Sequence, residues 1–153
     1  MPENLPVIPL FEGFDAGQYS ALNAIFERYK CPPNTTVFQQ GDPPDFLYLI
    51  LKGRAVIAYK PYDGPPIVIT RLKVGDVFGW SAVIGGKKYT SSVMSVSELE
   101  ALRIRRQDIF DLLNNSPEIG KIIIDRLALN VSPRWKNAHE QIHQFIETNR
   151  RQP

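Results

Sequence analysis

The sequence predicts a mainly β fold: a jelly roll (double-stranded β-helix) with flanking helices and a long C-terminal helix. Three observations predict it. Short β-branched and aromatic runs alternate with glycine-bearing turns between residues 35 and 105. The 13 prolines and 10 glycines are spread along the chain rather than bunched, as many turns require. Beyond Ser116, apolar residues recur at helical spacing. A chain of 153 residues has room for a single domain with one core. Within it the expected order is an N-terminal helix over 11–30, a β roll over 35–105 and C-terminal helices over 106–149.

Each element has a local reason. Ala16 to Tyr29 places Tyr19, Leu22, Ile25 and Phe26 on one helical stripe. Cys31-Pro32-Pro33-Asn34 stops that helix, because proline disfavours helix at the residue before it. Strands are expected at Thr36–Phe38, Phe46–Leu51, Ala55–Tyr59, Ile67–Leu72, Tyr89–Val96 and Leu99–Arg105. Turns fall at Gly41-Asp42, Lys52-Gly53, Asp63-Gly64 and Gly75-Asp76, and antiparallel strands need only such short connections. Leu49, Leu51, Val56, Ile57, Ile67, Ile69 and Leu102 are expected largely inside the roll.

The C-terminal third reads as helical. Arg106 to Leu113 is a short helix ended by Asn114-Asn115, and Ser116-Pro117-Glu118 starts another with a capping hydroxyl, a proline and an acid. Ile124, Ala128, Val131, Trp135, Ala138, Ile142 and Phe145 then follow a heptad seam. It keeps phase through Pro133, which predicts one long kinked helix. The seam is expected to meet a second copy and form a homodimer; the alternative is that it packs on the roll.

Composition excludes several function classes. A net charge of +2 is too small to argue for nucleic acid or an anionic membrane. The single Cys31 excludes an internal disulfide. The start of the chain lacks the basic and apolar regions of a signal peptide, and no apolar run approaches membrane-spanning length, so a cytoplasmic protein is expected. His139-Glu140-Gln141-Ile142-His143 matches a zinc-protease helix pattern, but only Glu147 follows as a carboxylate ligand and Ile142 lies on the seam. It is read as a polar helix face. Residues 35–105 contain no histidine, which argues against a metal-dependent jelly-roll enzyme of the cupin class. No enzyme activity and no metal site are expected.

The segments Phe38-Gln39-Gln40-Gly41-Asp42, Leu49-Ile50-Leu51-Lys52-Gly53-Arg54-Ala55 and Leu72-Lys73-Val74-Gly75-Asp76-Val77-Phe78-Gly79 together resemble the cyclic nucleotide-binding domains of catabolite-activator-type regulators, kinase regulatory subunits and gated channels. The resemblance runs from about Phe11 to Phe145. It implies a sensor module in which a short helix and loop after Phe78-Gly79 form a phosphate-binding cassette. The implied site residues are Gly79, Trp80, Ser81, Ala82, Lys88, Tyr89, Thr90 and Ser91. The family's nucleotide binders carry a glutamate for the ribose after that glycine and, nine positions on, an arginine for the cyclic phosphate. Here Trp80 and Tyr89 stand in those positions. A neutral phenol does not replace a bidentate guanidinium. The expected ligand is thus a cyclic nucleotide held weakly, or another small phosphate-bearing anion, and the alternative is a dimeric interaction module with a blocked pocket. The family's transcription regulators append a DNA-reading domain after the long helix, and the short tail Asn149-Arg150-Arg151-Gln152-Pro153 is not one, so no nucleic-acid contact is expected through this chain.

Overall fold

The computed structural model describes residues 5–83 and 86–131. Helix α1, Ala16–Ile25, starts where sequence and geometry agree. The Asp15 carboxylate accepts from the Gln18 amide at 2.8 Å while the Gln18 side chain accepts from the Asp15 amide at 2.9 Å, a reciprocal cap. The helix ends five residues earlier than its expected bound. Phe26–Cys31 is strand β1, not the continuation of the helix over 11–30, because all six residues pair with β8, Leu99–Arg105. The sheet supplies backbone partners along this segment that outweigh its helical apolar spacing. Arg28 and Glu100 add an ion pair at 2.7 Å between the two strands.

The remaining strands are β2 (Thr36–Phe38), β3 (Phe46–Lys52), β4 (Ala55–Tyr59), β5 (Ile67–Leu72), β6 (Val77–Phe78) and β7 (Ser92–Ser95). They form two antiparallel four-stranded sheets, ordered β1-β8-β3-β6 and β2-β7-β4-β5, and so make the expected jelly roll. Gly41, Gly53 and Gly75 all take positive φ at the turns, as their positions in the sequence require.

Two apolar clusters divide the interior, one on each face of the first sheet. Alternation along β3 separates them: Leu47 and Leu49 face the helices with Leu22, Leu102 and Ile104, while Tyr48 and Ile50 face into the roll with Phe38, Ile57, Phe78 and Tyr89. Of the expected interior residues, Leu49, Ile57 and Leu102 are buried, and Leu51, Val56 and Ile69 are half-buried. Ile67 is 43% exposed, because it opens β5 at the edge of its sheet.

Helices α2 (Arg106–Asn115) and α3 (Pro117–Leu129) pack as a pair beside the roll. Ser116 links them, but its hydroxyl makes no cap bond, contrary to expectation. The seam also departs from its expected form. The buried residues of α3 are Gly120, Ile123 and Leu127, one position ahead of Ile124 and Ala128, which are half-buried. The long helix does not run through Val131. The Val77 amide donates to the Asn130 carbonyl at 3.0 Å, and Val131 forms a parallel bridge with Val77, so the chain leaves the helix for the sheet edge and buries Val131 there. Trp135, Ala138, Ile142 and Phe145 lie outside the described residues.

Candidate functional site

The cassette begins at Gly79, whose φ of +84° and ψ of 28° turn the chain from β6 into the short 3₁₀ turn Trp80–Ala82. A Cβ at Gly79 would lie 2.8 Å from the Phe46 carbonyl oxygen, so this position needs glycine for space as well as for conformation. The Ala82 and Val83 amides donate back to Gly79 and Trp80, and the Gly86 amide donates to the Ser81 carbonyl at 3.1 Å. The turn's amides are therefore partly engaged within the cassette itself.

Tyr89 determines the character of the pocket. It is 5% exposed, and its ring stacks on Phe38 with centroids 3.6 Å apart and planes 10° from parallel. Its hydroxyl donates to the Phe46 carbonyl and accepts from the Phe46 amide at 3.1 Å. Its backbone is held too: the Tyr89 amide donates to the Asp42 carbonyl at 2.8 Å, and the Gly41 amide donates to the Tyr89 carbonyl at 2.9 Å. Burial pushes the phenol well above its ordinary value, with the hydrogen bond from the Phe46 amide offsetting part of the effect. Tyr89 is thus a neutral internal clamp between the cassette and the start of β3.

The space left is small. Phe38, Ile57, Gly79, Trp80, Ser81, Tyr89, Thr90, Ser91 and Val93 line a cavity of about 10 Å³, room for about one water molecule. Six of the eight expected site residues therefore share one cavity. Ala82 is buried beside it in the 3₁₀ turn, and Lys88 is exposed and does not line it. Trp80 lines the cavity but also packs against the helix-side core, so the pocket is filled mainly by the Phe38–Tyr89 stack rather than by the indole. Ser91 is 3% exposed, and its hydroxyl has no hydrogen-bond partner among the described residues.

A family model described as the cyclic nucleotide-binding domain matches residues 28–116. The chain belongs to the cyclic nucleotide-binding domain family. It is 28% identical over 128 residues to a CRP-like cAMP-activated global transcriptional regulator of Mycobacterium tuberculosis, covering 84% of this chain and 57% of that protein. It is 31% identical over 114 residues to a cAMP-dependent protein kinase regulatory subunit of Pyricularia oryzae, covering 74% of this chain and 28% of that one. The chain thus spans little more than half the length of the first of these and a smaller part of the second. Among solved structures, a cyclic nucleotide-binding domain from Methylobacillus flagellatus superposes with a TM-score of 0.72 at 23% identity, covering 90% of this chain and 77% of that one. That likeness supports the jelly-roll fold of the domain.

Several site residues were not singled out from the sequence. Phe38 enters the sequence reading only as a strand residue and part of the Phe38–Asp42 motif, and Phe46 only as a strand residue, yet one stacks on Tyr89 and the other holds its hydroxyl. Arg106 was read as the first residue of a helix, yet its guanidinium donates to the Gly86 carbonyl at 2.8 Å. The contacts span 20 to 51 residues of sequence, and no local pattern marks them. The strong pairing of Tyr89 with a phosphate-binding position was the one available signal. Among the described residues no cluster of metal-binding side chains occurs, and no helix is long and apolar enough to cross a membrane.

Proposed function

We propose that this cyclic nucleotide-binding domain is a regulatory module that works without tightly held cyclic nucleotide. The observation that carries the reading is the Tyr89 clamp. The side chain at the phosphate-binding position is buried, stacked on Phe38 and hydrogen-bonded to the backbone of Phe46. A cyclic phosphate entering there would lose the charged guanidinium contact and would have to displace a satisfied phenol, losing the net contribution of its hydrogen bonds, about 1 kcal/mol each. The relatives named as cAMP-activated or cAMP-dependent make cyclic AMP the ligand to test. Titration of this protein with cyclic AMP tests the reading, and tight binding would overturn it.

The output runs through the helices rather than through catalysis. A second copy docks on the outer face of α3, where Ile122 is 40% exposed and Leu129 is 84% exposed, two helical turns apart. Of the expected seam, Ile124 and Ala128 lie half-buried beside this face and Val131 is buried at the sheet edge. A smaller anion is the second reading of the pocket, favoured by the buried Ser91 hydroxyl that lacks a partner among the described residues.

A further inference from the structure

Two turns at one end of the roll are locked together. Gly53, between β3 and β4, has a φ of +88°, and a Cβ there would collide with the Glu98 carbonyl oxygen in the turn between β7 and β8. The Arg54 amide donates to the Ser97 hydroxyl at 2.9 Å, and the Val96 amide donates to the Arg54 carbonyl at 3.0 Å. These contacts fix the backbone of Lys52 and of Glu98 relative to each other. Beside them lies a cleft of about 320 Å³, lined by Lys30, Lys52, Gly53, Glu98, Leu99 and Glu100. A second hollow of about 380 Å³ shares Lys30 and Glu98 with it and reaches Pro32 and Pro33. Each has room for a small organic molecule. Neither shares a lining residue with the 10 Å³ cavity at the cassette.

Strand register sets the charges of the cleft. Glu100 on β8 stands opposite Lys30 on β1 and opposite Lys52 on β3, so the three side chains form a row on one face of the sheet. Glu100 is taken by Arg28, at 2.7 Å, and so neutralises neither lysine. Among the described residues no ion pair reaches Lys30, Lys52 or Glu98. All three side chains are exposed. The cleft therefore presents two ammonium groups and one carboxylate without counter-charges. A simple anion is attracted by the lysines but repelled by Glu98, and a simple cation meets the reverse. A molecule carrying both charges answers all three groups.

We propose that this end of the roll is a second ligand site, for a free α-amino acid with an aliphatic side chain. Its carboxylate sits between Lys30 and Lys52, its ammonium group meets Glu98, and its side chain lies on Pro32-Pro33. The site is independent of the cassette and operates whether or not a nucleotide binds there.

Titration of the full chain with L-leucine, followed by amide nuclear magnetic resonance shifts, tests this. Saturable shifts are expected in residues 30–31, 52–54 and 97–99, with residues 86–92 unmoved. N-acetyl-L-leucine lacks the ammonium charge and L-leucinamide lacks the carboxylate. Each is expected to bind roughly tenfold to a hundredfold more weakly than leucine, the scale of one charged contact. Lys30→Met with Lys52→Met is expected to abolish leucine binding. Glu98→Gln is expected to weaken leucine as much as acetylation does, and to leave N-acetyl-L-leucine binding no weaker than to the parent protein. The three side chains are exposed, so melting temperatures are expected to stay as in the parent and the variants report on binding alone. No saturable shift at millimolar leucine would overturn the site. Shifts confined to the cassette would do so as well. N-acetyl-L-leucine binding as tightly as leucine would overturn the amino-acid assignment, by showing that Glu98 recognises nothing.

Discussion

Tyr89 lies flat on Phe38, with ring centroids 3.6 Å apart, and the same phenol bonds both backbone groups of Phe46. The stack and the hydrogen bonds separate by mutation. Tyr89→Phe keeps the ring and leaves the Phe46 amide and carbonyl without their partner, a loss of about 1–3 kcal/mol. Tyr89→Ala removes the ring as well, a loss of about 3–5 kcal/mol. Urea unfolding of the two variants measures both: a Tyr89→Phe variant as stable as the parent would show that the hydroxyl bonds contribute nothing, and equal losses in the two variants would show that the stack adds nothing.

Three phenols in and beside the roll bind their protons more tightly than free tyrosine. Burial is the first cause for each. Tyr29 is pushed up to about 12, with Cys31 adding to the effect, while Arg103 partly offsets the burial of Tyr48. Tyr89 is raised as well. The native state therefore holds protons that the unfolded chain releases above its ordinary phenol value of about 10. The resulting stability is fully present below pH 10 and is lost as the pH climbs from there. The phenolate absorbance of these three side chains is expected to appear together with loss of the near-ultraviolet circular dichroism signal. Complete phenolate formation with the fold intact would contradict this.

Gly79 and Gly75 both adopt left-handed backbone, at φ of +84° and +91°, but only Gly79 is crowded. Gly75→Ala is expected to cost about 1–2 kcal/mol from conformation alone. Gly79→Ala adds contact with the Phe46 carbonyl and should cost clearly more. Thermal melts of the pair decide it, and equal shifts would mean that the β6–cassette turn relaxes freely.

Ile122→Asp with Leu129→Asp is expected to turn a dimer into a monomer with little change in melting temperature, because both side chains already face solvent in the single chain. Sedimentation at several concentrations reads the outcome. A dimer that survives both charges places the interface elsewhere.

The strand runs and turns were legible because each rests on local chemistry: β-branched residues, alternation, and glycines that the turns require. Leu99–Arg105 and Ala55–Tyr59 occur with their expected bounds. Phe26–Cys31 was misread because its partner strand lies some seventy residues away and helical spacing was the only nearby signal. Val131 failed for a similar reason, since the bridge to Val77 follows from the sheet edge rather than from the heptad. At the site, the cassette residues were found by motif, but which way Tyr89 turns depends on Phe38 and Phe46, and no spacing rule connects the three.

In the proposed function the Tyr89 clamp stands in place of the phosphate anchor. Calorimetric titration with cyclic AMP of this protein and of the double variant Trp80→Glu with Tyr89→Arg tests it most directly. The parent protein is expected to bind weakly or not at all, since two missing charged contacts of about 1.5–3 kcal/mol each correspond to several orders of magnitude in affinity. The double variant is expected to bind measurably tighter. Tight binding by the parent protein, or binding that the two substitutions leave unimproved, would contradict the account.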